Sequence, residues 1–223
     1  MENKAVKKTG SIIEKNDFIE LEFTASVKGG GIFDTNVKED AEKTGMNVNE
    51  LKPLFISVGN GMVIRGLDKE LEGKEIGKKY SVEIPDEEAF GKRNNELVKM
   101  SSLKPFSAQN IIPQKGMQVF LDGMLARILS VSGGRVLVDF NNPLAGKSVI
   151  YSFKIKRKVG DENEKINILQ DFLFKRRFDF EKKEKEITFK LKKEGKQFEK
   201  FIRFMSKPFS DILGLDIKTE IER

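Results

Sequence analysis

The chain contains no cysteine, no histidine and no tryptophan, and tyrosine occurs only twice among its 223 residues. Without cysteine there is neither a disulfide nor a thiol nucleophile. Losing cysteine and histidine together removes most zinc and nickel sites and leaves only carboxylate sites for hard cations. Without an imidazole, a hydrolase of the Ser-His-Asp kind has no general base. No apolar run reaches membrane-spanning length, and Met1 to Lys8 lacks the apolar core of a signal peptide, so the sequence reads as cytoplasmic. Phenylalanine, by contrast, is plentiful at 18 residues, so aromatic burial falls almost wholly to a ring without a polar handle. The 41 basic and 35 acidic residues leave a net charge of +6, but they are finely mixed, as on an ordinary solvated surface. A chain of this length is expected to form two or three small units.

The stretch from Pro53 to Gly91 organises the rest. Gly59 and Gly61 mark a bend just ahead of Met62-Val63-Ile64. Ile64, Leu67 and Leu71 then fall at i, i+3 and i+7 on one face of a two-turn helix, and Gly73 sits where its C-terminal cap belongs. Tyr80, Val82 and Ile84 alternate with polar residues in a strand that stops at Pro85. On pattern alone this is an ordinary strand–helix–strand unit. Upstream, residues 1 to about 15 are polar and expected to be loosely ordered. Phe18 to Thr24 alternates, with Ile19, Leu21 and Phe23 on one face. Lys28 to Gly31 turns the chain into a return strand beginning Ile32-Phe33-Asp34-Thr35. Residues 36–52 form a polar excursion with a helical turn predicted at Lys38 to Lys43, and long excursions are often functional.

Beyond Gly91 the segment punctuated by Pro105 and Pro113 lacks periodicity. Met117 to Leu121, Leu125 to Val131 and Arg135 to Phe140 read as a small antiparallel meander. A turn-rich hinge from Asn141 to Gly146 leads into a strand where Val149, Tyr151, Phe153 and Ile155 share a face. Val159 to Asn167 reads as a polar linker. The last unit predicts a strand at Ile187 to Lys192 and a helix carrying Phe198, Phe201, Ile202 and Met205, ended by Pro208. Some sixty residues bury too little to stand alone, so the unit is read as a docking element for oligomerisation. The alternative is a small independent αβ domain.

Five features recur in an order and spacing that resemble the FKBP-type peptidyl-prolyl cis-trans isomerases. They are the glycine-rich hairpin, Phe33-Asp34, Val63-Ile64-Arg65-Gly66-Leu67, Glu88-Ala89-Phe90-Gly91 and Asn142-Pro143-Leu144-Ala145-Gly146. More narrowly, they are similar to the SlyD-like group and its long archaeal relatives, from about Asp17 to Lys158. The resemblance implies an α+β fold in which a half-open antiparallel β-sheet wraps one short helix, built from residues 1–91 and 140–158. It implies an inserted small β domain, called insert-in-flap, over residues 92–139. Residues 159–223 remain as a C-terminal αβ domain, taken as a dimerisation element.

The resemblance also implies a prolyl pocket. Asp34, Phe23, Phe90 and Tyr151 would act on the twisting amide, and Phe33, Leu54, Val63, Ile64 and Leu67 would bind the substrate. In the family, the backbone N–H at the position of Ile64 holds a substrate carbonyl. No cofactor or metal is implied. The expected partners are unfolded or proline-containing polypeptides, with neither nucleic acid nor membrane. Taken singly, each apolar position is simply core; only their joint placement argues for a pocket. In SlyD-like relatives the insert presents apolar surface to unfolded chains as a chaperone. The candidates here are Leu103, Phe106, Ile111, Ile112, Met117 and Met124, though any one of them taken singly reads first as packing the meander's own core. The metal-binding tail of some SlyD proteins is absent.

The sequence departs from the family pattern at Phe23 and Phe90, where tyrosine is common, and at Leu67, where tryptophan often stands. Tyr151 replaces a usual phenylalanine and could supply one polar contact. These departures predict a working but slower isomerase that binds macrolide inhibitors weakly. Two other readings stand beside it. One is a poorly catalytic holdase or scaffold on the same fold. The other is nucleic-acid binding through Lys175-Arg176-Arg177 and Lys182-Lys183, which would be steeply salt-dependent.

Overall fold

The computed structural model describes residues 12–192, 195 and 197–221. Residues 1–11, on which the expectations of a loose start and of no signal-peptide core rest, lie outside the described residues. The first strand, β1 (Phe18–Val27), buries Ile19, Leu21, Phe23 and Ala25 on one face, as its alternation predicts. β2 (Ile32–Thr35) returns antiparallel to it, with a bulge between Ala25 and Ser26. The polar excursion contains α1 (Lys38–Thr44) and a single 3-10 turn at Val48–Glu50. β3 (Leu54–Ser57) then pairs antiparallel with the beginning of β1.

The bend before α2 (Arg65–Leu71) has a specific cause. Gly59 and Gly61 take φ of +78° and +67°, backbone that glycine adopts without steric cost. The buried carboxylate of Asp68 accepts a hydrogen bond from each of their N–H groups, both at 2.8 Å. At Gly66 the constraint is space: a Cβ there would lie 2.3 Å from Ile84 Cγ2. The helix therefore sits directly on β4 (Lys79–Ile84). Gly73 follows the helix with φ +78°, yet its N–H donates to Ile13 O at 2.8 Å. Ile13 N–H in turn donates to Lys74 O, and the side chain is fully buried. The expectation that the chain is loose up to residue 15 is thus wrong from Ile13 onward. One buried isoleucine in a polar run leaves no periodic trace.

β5 (Val98–Ser102), α3 (Lys104–Ser107), β6 (Gln118–Leu121), β7 (Met124–Ser132) and β8 (Arg135–Asp139) follow. They form a separate four-stranded sheet in the order β5-β8-β7-β6 around Phe106, Val119, Ile128, Val136 and Val138. The meander matches β6 to β8. β5 escapes the sequence because Val-Lys-Met-Ser-Ser barely alternates; its register against β8 defines it. The two segments entering and leaving this sheet are tied together. Arg93 Nη2 donates to Asp139 Oδ2 at 2.8 Å, and the Asn141 side chain bonds both the N–H and the C=O of Asn94. β9 (Val149–Lys158) re-enters the first sheet between β1 and β4, giving the order β2-β1-β9-β4 with β3 also on β1.

The predicted polar linker is instead α4 (Glu162–Leu169), with Asp161 Oδ1 accepting from Glu164 N–H as its cap. Val159, Ile166, Ile168 and Leu169 are buried; too few of them fall within the polar stretch to reveal the helix. A π-helical turn follows at Gln170–Phe174. β10 (Asp179–Lys183), β11 (Glu186–Leu191), α5 (Phe198–Phe204), α6 (Ser206–Leu213) and β12 (Asp216–Ile221) complete the chain. β11 pairs antiparallel with β10 and parallel with β12. Pro208 lies in the first turn of α6, where a missing N–H costs nothing. It begins a second helix rather than closing the first.

The core of this last unit, with Phe174, Phe189 and Phe209 in mutual ring contact, also contains Phe18 of β1, and Phe55 and Met62 pack against it. Its size demanded a docking surface, and that surface is the chain's own first sheet. Arg157 reinforces the junction, donating to Glu20 Oε2 at 2.8 Å and to both carboxylate oxygens of Glu164. The basic run is locally engaged: Arg177 pairs with Asp171, Lys182 with Glu162, and Arg176 lies over the Phe178 and Phe198 rings. Among the described residues, no helix is long and apolar enough to cross a membrane.

Candidate active site

The concave side of the first sheet and the N-terminal end of α2 enclose a cleft of about 1060 Å³. β1 supplies Phe23, β2 supplies Phe33 and Asp34, β9 supplies Tyr151, β3 supplies Leu54, and the bend and α2 supply Val63, Ile64 and Leu67. Phe90 closes one side after the acidic turn at Asp86–Glu88. All nine residues picked out as pocket or catalytic positions therefore line one hollow. Phe23 stacks on Tyr151 with ring centroids 5.9 Å apart, and Phe33 meets Phe90 and Tyr151 edge-on at 5.7 and 6.3 Å. Edge-to-face contacts of this kind fix ring orientation as well as burying area.

Asp34 places a carboxyl at this aromatic wall. Its carboxyl lies at the mouth, open to solvent in part, yet enough protein surrounds it that burial raises its pKa. A bond from the Thr35 backbone only partly offsets this. Burial, and then the charge of Asp34, push the Tyr151 hydroxyl up to about 12, so it stays protonated and able to donate at neutral pH. Ile64 occupies the N-cap of α2, a position whose N–H has no carbonyl of its own helix to bond. It is thus placed to receive an acceptor from the cleft.

Several contributors were not among the residues picked out for the pocket. Met46 and Leu51 reach the cleft from the polar excursion, Pro53 from the start of the stretch that follows it, and Leu144 from the hinge; for the excursion, only its length hinted at a role. Asn36 anchors that wall. Its Oδ1 accepts from Phe23 N–H at 2.7 Å and its Nδ2 donates to Leu21 O at 2.8 Å, so a side chain continues the pairing of β1 where β2 stops.

The candidate chaperone residues do not share one environment. Ile112 is 80% exposed and Met124 and Leu103 are also exposed. Phe106 is fully buried, and Ile111 and Met117 pack partly buried against the same core. Phe106 must therefore be corrected from surface to core: it is the ring around which the small sheet closes. Met100, Phe120, Leu125 and Val131 are exposed apolar residues of this sheet that the sequence did not single out.

Comparison with known proteins places the chain in a family. The family model for "FKBP-type peptidyl-prolyl cis-trans isomerase" matches residues 10–107, and that for "FKBP26, IF domain" matches residues 98–144. A short-type peptidyl-prolyl cis-trans isomerase of Methanocaldococcus jannaschii is 30% identical over 156 residues, covering 69% of this chain and 99% of that protein. The chain belongs to the FKBP-type peptidyl-prolyl cis-trans isomerase family. The FKBP-type isomerase SlyD of Vibrio cholerae is 29% identical over 147 residues, 64% of this chain and 67% of SlyD. An FKBP-type 16 kDa isomerase of Escherichia coli is 28% identical over 111 residues, 48% of this chain and 74% of its own. Neither family match extends past residue 144, so the C-terminal unit of this FKBP-type isomerase is matched by neither.

Proposed function

We propose that this FKBP-type isomerase rotates X–Pro bonds of unfolded or nascent cytoplasmic polypeptides in the aromatic cleft, without covalent or metal chemistry. The observation that carries the reading is the convergence of Phe23, Phe33, Asp34, Leu54, Val63, Ile64, Leu67, Phe90 and Tyr151 on one hollow. Rotation must break amide resonance, behind a barrier of about 18–20 kcal/mol. The planar amide is the more charge-separated form, so a dry aromatic wall disfavours it relative to the twisted one. Ile64 N–H would hold a substrate carbonyl, and Asp34 would orient the twisting amide with the protonated Tyr151 hydroxyl beside it. Lowering the barrier by about 5 kcal/mol would accelerate exchange several thousandfold. Catalysis should be slower than in relatives with tyrosine at the positions of Phe23 and Phe90, because two hydroxyls are absent, and macrolide inhibitors should bind weakly.

Within this reading, residues 1–91 and 140–158 form the isomerase unit and 92–139 the chaperone unit, whose exposed Ile112, Met124 and Leu103 would hold clients near the cleft and raise their local concentration. Residues 159–223 would also carry a homodimer contact through Phe201 and Phe204 on α5, the latter 79% exposed. Light scattering that returned the mass of a single chain would remove that assignment. The poorly catalytic holdase remains the alternative function. A refolding assay limited by proline isomerisation separates the two. Wild type should accelerate the slow phase, with Asp34→Ala and Phe90→Ala each losing about tenfold or more in efficiency. Equal rates for all three, with aggregation still suppressed, would favour the holdase.

A further inference from the structure

A second, narrower groove of about 220 Å³ runs beside β3. One wall is Pro53, Leu54, Phe55 and Ile56; the other is Ile168, Asp171 and Phe172 from α4 and the π-helical turn, with Met62 between. Pro53, Leu54 and Met62 also line the prolyl cleft, so the two hollows meet at the start of β3.

The hydrogen bonding of β3 shows what the groove can take. Among the described residues, β3 is paired on one edge only, with β1. Just beyond its end, Val58 N–H donates to Asp17 O and Val58 O accepts from Asn16 N–H. Val58 thus faces β1, and by the two-residue alternation of a strand so do Ile56 and Leu54. Phe55 and Ser57 must point their backbone groups the opposite way. Ser57 does so: its N–H donates to Met62 Sδ at 3.0 Å. The N–H and C=O of Phe55 are left facing away from the sheet, with no hydrogen-bond partner among the described residues.

We propose that this groove is a second subsite of the isomerase, occupied by the extended stretch of the same polypeptide that flanks the proline. This rests on the cleft being the prolyl site. One free donor and one free acceptor on a strand edge match another backbone, as in recognition by strand addition. The half-buried Phe172 ring opposite offers an apolar wall for one substrate side chain. Continuity through Pro53, Leu54 and Met62 lets one extended chain run from the cleft into the groove. Three strand residues, about 10 Å at 3.3 Å each, are long enough to register a short segment but not a folded partner. The docked C-terminal unit is then part of substrate recognition, since two of the groove's far-wall residues lie in its π-helical turn.

Isomerisation kinetics of the full-length protein on two peptides test this. Ala-Leu-Pro-Phe fills only the cleft; the same tetrapeptide with a Val-Thr-Val extension at each end also reaches the groove. In wild type the extended peptide should show a KM lower by about tenfold. Phe172→Ala should raise that KM about fivefold, leave kcat unchanged, and leave the tetrapeptide unaffected. Because the Phe172 ring also lies under the Lys175 ammonium, the ligand supplies a second probe. N-methylating the extension one residue at a time should weaken binding to wild type at the position that donates to Phe55 C=O. Equal KM values for the two peptides in wild type, or no N-methyl position that matters, would overturn the subsite. Failure of the prolyl reading looks different: no acceleration of the tetrapeptide, or the same rate in Asp34→Ala, which would remove the subsite with it.

Discussion

At Asp34, burial and function pull in opposite directions. The raised pKa means that ionising this carboxyl is harder in the folded chain than in the unfolded one. Its contribution to stability is therefore full below the ordinary value of 3.8 and is lost as pH rises through the raised folded value. Asp34→Asn should accordingly unfold at higher denaturant than wild type at pH 7. The gap should close as pH falls below 3.8, and isomerase activity should drop. Equal midpoints at both pH values would show that burial imposes no cost at this site. Asp34 was legible in the sequence because it sits in the Phe33-Asp34 motif. Asn36 and Asp68 were not: each acts on backbone groups brought near only by folding, Phe23 and Leu21 for one and Gly59 and Gly61 for the other.

Among the elements, β1, β4, β9 and α2 could be read because each buries one face of a regular period. β5, β10 and β12 are short and take their identity from partners elsewhere, and the polar start of α4 hides its buried face. The junction of α2 with β4 is the most constrained. Gly66→Ala places a methyl against the branched Ile84 side chain, which is fully buried and has little room to yield. The cost should be about 1–3 kcal/mol in chemical denaturation, the usual penalty for overpacking. Asp68→Ala, which withdraws both acceptors from the bend, should cost about 1–3 kcal/mol, while Asp68→Asn, keeping one oxygen, should cost less. Matching losses for Ala and Asn would mean that the paired bonds do not hold the bend.

For the whole molecule, the first sheet carries a core on each side. Tyr151 and Phe153 face the α2 side, while Phe18 and Phe55 face the C-terminal unit. Sequence alone anticipated a docked third unit from its size, but not that the dock was its own chain, because Phe18 is a lone aromatic on the face of β1 that otherwise carries Glu20, Glu22 and Thr24. Ending the chain at Lys158 should uncover Phe18, losing about 1.5–3 kcal/mol of burial for that side chain alone, and should increase binding of an apolar dye. Unchanged stability would make the third unit an independent appendage. The central claim, that the aromatic cleft is where proline binds, is tested most directly by methyl NMR during titration with a proline-containing tetrapeptide. The account predicts saturable shifts at Leu54, Val63, Ile64 and Leu67. Shifts confined to Leu103 and Ile112 of the inserted sheet, with those four unmoved, would contradict it.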